Sequence, residues 1–166
     1  MNIFILDTDP VKCAKYHSNK HVVKMILETA QMLSSAHRIL GEDHPDLYRL
    51  THKNHPCTKW VCGSIANYNW AYSLFEALEK EYEHRYNKQH LSWKKLHNVL
   101  KNAPSKLNHS DLTPFALAMP DQYKHINDPV QSYRSYYIGE KSHIFQWKNR
   151  PVPYWVTSSA TCLENS

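Results

Sequence analysis

"HSNKHVVKMILETAQMLSSAH", residues 17–37, decides how this 166-residue chain is read. At about 100° per residue, steps of three and four return to one helix face. His17, His21, Lys24, Glu28, Gln31 and Ser35 obey that spacing. Val22, Val23, Met25, Ile26, Leu27, Ala30, Leu33 and Ala36 take most of the remaining circumference. Such a helix is central and packed on several sides, and its one polar stripe faces either solvent or an internal cleft. Lys24 and Glu28 would be an ordinary i,i+4 pair on a solvated face. Two histidines one turn apart favour the cleft. There, Glu28 is expected to raise the pKa of His21, making His21 an acid or base near neutral pH. Lys20 sits just off the stripe, within reach of a phosphate.

Working outward, "DTDP" supplies Asp9 as a helix cap and Pro10 at the first helical position. A helix kinked near Ser18 and Asn19 is expected to run to about Leu40. A short helical piece is expected at "DLYRLTH". Pro56 opens one long helix through "CTKWVCGSIANYNWAYSLFEALEKEYEHRY". "LSWKKLHNVLKN" is a shorter amphipathic helix. Residues 103–127, broken by Pro104, Pro114 and Pro120, are irregular. "NDPVQSYRSYYIGEK" repeats the Asp-Pro helix start. "MNIFIL" is a short strand or an extended arm, and "RPVPYWV" is extended and could lie beside it. The expected fold is mainly α: one helical domain over residues 1–166, about five helices, with at most a small two-stranded N-/C-terminal sheet.

Composition narrows the chemistry. Only Gly41, Gly63 and Gly139 occur, so glycine-rich phosphate cradles are excluded. Phosphate must be held by Lys, Arg or a helix N-terminus. The net charge of +5 and pI of about 9.0 favour polyanionic partners. Cys13, Cys57, Cys62 and Cys162 form no CxxC pair, and there is no signal peptide or bilayer-length apolar run. The expected setting is reduced and cytoplasmic, without a membrane.

Two further clusters carry candidate chemistry. "HKNHPCTKW" puts His52, His55 and Cys57 in one loop, and His17 or His21 would complete a divalent transition-metal site. The bland reading makes His55 a helix cap and Cys57 core. "YRSYYIGEK" places Arg134, Tyr137 and Lys141 near one face, a basic-aromatic pattern suited to phosphate contact and base stacking. Trp60 is a second stacking candidate, and Asn67 could read a base edge or simply bond a neighbouring loop.

The strings "CAKYHSNKHVVKMILETAQMLSSAH", "NHPCTKW", "NYNWAYSLFEAL", "EYEHRYNKQH", "AMPDQYK" and "YRSYYIGEK" cover nearly the whole chain. This pattern resembles a family of small proteins of tailed-phage genomes to which no activity attaches. The resemblance implies only a phage-encoded protein made in a host cytoplasm. Two functions compete. The first is an enzyme acting on a nucleotide or nucleic acid, cleaving a phosphoester or N-glycosidic bond. His21 and Glu28 would transfer protons, Lys20, Lys24, Arg134 and Lys141 would hold phosphate, and Trp60 or Tyr137 would stack a base. The second is a non-catalytic protein that sequesters a nucleotide or blocks a host-defence protein through the same groups.

Overall fold

The structure, a computed structural model, describes residues 1–158. Cys162 lies outside them. Six α-helices carry the fold: α1 (Pro10–Tyr16), α2 (Asn19–Ile39), α3 (Pro56–Val61), α4 (Ile65–Tyr86), α5 (Leu91–Leu100) and α6 (Pro129–Lys141). Two short 3-10 turns flank α6, at Asp121–Tyr123 and Ser142–Ile144. Five of these six have seven residues or more, residues 154–158 add a further helical turn where an extended segment was expected, and the described residues hold no strand. The mainly helical expectation stands.

Each start has a local cause. Asp9, Ser64 and Asp128 accept backbone N–H groups of α1, α4 and α6, and Pro10 and Pro129 open their helices. His55 and His90 cap α3 and α5 with their rings. The kink expected near Ser18 is a complete break, because His17 and Ser18 are extended. Arg85 from α4 holds it open. Its guanidinium donates to the carbonyls of Lys15 (3.0 Å) and His17 (2.7 Å), which the end of α1 leaves without helical partners.

Two helical expectations need correction. The long helix opened by Pro56 is two helices. Ser64 takes an extended backbone and its hydroxyl caps α4, so the chain turns at residues 62–64. "DLYRLTH" is not helical. There the backbone serves α2 instead: Arg38 takes the carbonyls of Leu47 and Tyr48, and Ser35 bonds both backbone groups of Thr51.

The central contact is α2 against α4, with α1 and α5 alongside. The N-terminal arm runs into this core, burying Ile3, Phe4, Ile5 and Leu6. No sheet forms because side chains, not a second strand, satisfy the arm. Cys13, Arg134 and Trp70 donate to the carbonyls of Phe4, Leu6 and Thr8. On the far side of the arm lies α6. A Cβ at Gly139 would come within 2.5 Å of the Tyr123 ring, so glycine lets the irregular segment close onto this helix.

Candidate active site

The polar stripe of α2 ends in a small cavity of about 100 Å³ where α2, α6 and the N-terminal arm meet. From α2 come His21, Lys24 and Glu28, from α6 Tyr136 and Lys141, and from the arm Met1, Asn2 and Phe4. The stripe therefore faces a cleft for part of its length. Farther along, Ser35 is buried on Thr51, and at the near end His17 is fully enclosed.

The α-amino nitrogen of Met1 lies 3.4 Å from Glu28 Oε1. The Met1 and Glu28 side chains are largely shielded, with exposures of 3% and 12%. Glu28 Oε2 is buried and has no protein partner. An amine and a carboxylate thus share a cavity in which one carboxylate oxygen stays open to a further donor. Lys24 and Lys141, from two different helices, line the same cavity.

His21 is present but its electrostatics are opposite to the sequence expectation. Phe4 stacks on it, and burial pushes its pKa down to about 3, with the charges of His17, Lys141, Lys24 and His143 acting in the same direction. Glu28 does not raise it. His17 is lowered to about 4, again by burial. Its Nδ1 donates to the Cys13 carbonyl at 2.7 Å, leaving Nε2 buried without a partner.

Several sequence candidates are structural. Trp60 packs among Trp70 and Phe115, with its N–H on the Thr113 carbonyl. Asn67 is fully buried and bonds Trp60 and Thr113, joining α4 to the irregular segment. Tyr137 is fully buried, with its hydroxyl on Ser18. Neither ring offers a face to a base. Arg134 is committed to the Leu6 carbonyl, Asp7 and the Tyr154 hydroxyl, and packs against Tyr16 and Trp155. It is not a free phosphate grip. Lys20 is exposed at the start of α2 and Lys24 one turn on.

The metal set does not assemble. His52 is exposed and bonds Thr51, His55 caps α3, and the Cys57 thiol donates to Asn2 Oδ1. Among the described residues, no three His, Cys, Asp or Glu groups come together as a metal site. His17 and His55 spend a ring nitrogen on backbone groups and His52 bonds the Thr51 hydroxyl, so these rings do not converge.

Sequence reasoning missed Met1, Asn2, Phe4 and Tyr136. The amine is a backbone group, invisible to a search for reactive side chains. The signal was the apolar run "MNIFIL": an arm that buries itself from its third residue draws the adjoining amine inward.

The amine, the carboxylate and the two lysines offer a nucleophile, a proton acceptor and positive charge for an anionic substrate. Residues 1–95 match the family described as pyrimidine dimer DNA glycosylase, and the chain belongs to that family. The match takes in the arm, α1 to α4 and the first half of α5, and with them Met1 and Glu28. It corrects the expectation of a family without an activity. Neither the curated proteins nor the solved structures compared with the chain gave a match. Among the described residues, no helix is long and apolar enough to cross a membrane.

Proposed function

We propose that the chain detaches one pyrimidine of a linked dimer, the damage named by its family, from its deoxyribose, with the Met1 α-amine as nucleophile. The observation that carries this is the 3.4 Å contact between Met1 N and Glu28 Oε1 inside the cavity. The neutral nitrogen attacks C1′ of the deoxyribose, forming a C–N bond. The C1′–N1 bond breaks, and its electron pair leaves with the base, which takes up a proton. Glu28 accepts a proton from the attacking nitrogen and returns it to the ring oxygen O4′. The C1′–O4′ bond then opens and the C–N bond becomes an imine, which water hydrolyses.

Cavity size supports attack at a sugar. At about 100 Å³ it falls well below the several hundred Å³ that enclose a base-sized ligand. The linked bases stay outside it. Lys24, Lys141 and Lys20 meet the backbone phosphates. His21, held neutral, serves as a hydrogen-bonding wall of the cavity rather than a proton carrier.

Borohydride reduction during turnover on ultraviolet-irradiated DNA tests the reading. It should leave a covalent protein–DNA adduct that peptide mapping places on the Met1 nitrogen. An adduct on Lys24 or Lys141 would overturn the nucleophile assignment, and so would full activity after the α-amine is blocked by acetylation.

A further inference from the structure

A chain terminus is ordinarily the least ordered part of a fold. The proposed nucleophile sits on one, yet an amine in covalent catalysis must be aimed within a fraction of an ångström. We propose that Asn2 and His55 are the positioning residues that aim the Met1 amine at the sugar. This rests on the assignment of that amine as nucleophile.

Asn2 is 8% exposed, and its side chain is held at both ends. Nδ2 donates to the Ala118 carbonyl at 2.7 Å. Oδ1 accepts from the Ile3 N–H at 2.8 Å and from the Cys57 thiol at 3.4 Å. Tyr133 stands against the same oxygen, 3.3 Å away, while its own hydroxyl hydrogen goes to the Ala116 carbonyl at 2.6 Å. The residue next to the amine is thereby tied to α3 and the 116–118 segment together.

His55 holds the other side of Met1. Its Nδ1 accepts the Cys57 N–H at 3.1 Å, and its ring interacts with the Met1 carbonyl. Since Nδ1 is an acceptor, the proton must sit on Nε2, which is the donor that a carbonyl requires. Glu28 then takes the amine, His55 the carbonyl of the same residue, and Asn2 the next side chain. These three restraints leave little freedom about the Met1 backbone. None of them needs Asn2 or His55 to touch the substrate.

The test uses the full chain with Asn2→Leu, His55→Asn and Cys57→Ala. Leu keeps the bulk at position 2, Asn keeps a cap for α3, and Ala removes only the thiol. For Asn2→Leu and His55→Asn, kcat and the rate of borohydride trapping should fall about 30- to 100-fold, with KM nearly unchanged. Cys57→Ala should fall by less than about tenfold, since one weak donor is lost. Asn67→Ala, which removes a buried asparagine bonded to Trp60 and Thr113, is the structural control. It should lower the melting temperature and leave kcat alone.

Folded Asn2→Leu and His55→Asn proteins with kcat and trapping rate within about threefold of the parent, and with the adduct on Met1, would overturn the clamp. Should Asn2→Leu not fold, His55→Asn and Cys57→Ala decide it. An adduct of the unaltered protein that maps away from Met1 would instead overturn the nucleophile assignment, and the clamp with it.

Discussion

Phe4 lies face to face with His21, with ring centroids 4.7 Å apart and planes 30° apart. The other face of Phe4 meets Tyr136 at 5.9 Å. The arm therefore pushes an aromatic wedge between α2 and α6, and the histidine beside it loses the solvation that its charged form needs.

His21→Gln follows from that contact. With its pKa lowered to about 3, His21 carries no charge at neutral pH and supplies no proton-transfer step there. The variant should keep kcat within about tenfold, and the pH–rate profile between pH 5 and 8 should hold its shape. Loss of a limb near neutrality in the variant would restore His21 as an acid or base.

Glu28→Gln keeps the size of the side chain and removes the carboxylate that faces the Met1 amine. Turnover should fall by about 10²- to 10⁴-fold, the range for a lost general base. DNA affinity measured by titration should change little, as should the melting temperature. A variant that keeps more than a tenth of parent activity would exclude Glu28 from proton transfer.

Salt dependence separates free cations from committed ones. Lys24→Ala and Lys141→Ala should each flatten the slope of log K against log salt by about one. Arg134→Gln should leave that slope unchanged and lower the melting temperature, because its guanidinium is spent on Leu6, Asp7 and Tyr154. A flattened slope in Arg134→Gln would return it to the DNA surface.

Arg85 is fully buried between Glu81 and the carbonyls at the end of α1. Arg150 grips the same Glu81 at 2.7 Å. Arg85→Met should cost about 3–5 kcal/mol, because Glu81 loses its buried partner and the carbonyls of Lys15 and His17 lose their donor. Denaturant melts measure it. A loss under about 1 kcal/mol would show that Arg150 alone satisfies Glu81.

Stability should respond to pH in two opposed ways. Folding lowers His17 to about 4 and His21 to about 3 from 6.5, so their contribution is complete above pH 6.5 and is lost as pH falls towards those values. Burial raises Glu79 from 4.5 to about 7, so its contribution is complete below 4.5 and is lost as pH rises through 7. Glu79→Gln mimics the protonated form. Its unfolding free energy should gain on that of the parent by on the order of 2–3 kcal/mol between pH 5 and pH 8. A constant difference across that range would mean that Glu79 is charged throughout.

Asp-Pro starts made α1 and α6 legible, and periodicity the body of α2, whose separate start at Asn19 read only as a kink. The cleft was legible from His21, Lys24 and Glu28 on one line of α2. Ser64 was not, because nothing local distinguishes a capping serine from one that merely sits in a long apolar pattern. Trp60, Asn67 and Tyr137 have the composition of a base-reading surface. Only tertiary contacts reveal that their polar atoms are used inside the protein, on Thr113, Trp60 and Ser18. Met1 was the hardest case, since its chemistry arises from where the arm goes.

That arm also dictates when the enzyme can come into being. Asn2 is bonded to a residue 116 positions away, and Ser18 is joined to Tyr137 across 119. Closing loops of that length is slow beside the local growth of helices. In refolding from denaturant, helical circular dichroism should recover first, and the ability to form a trapped adduct should lag behind it. A nascent chain still missing α6 would hold its amine loose in water, chemically ordinary and harmless to DNA.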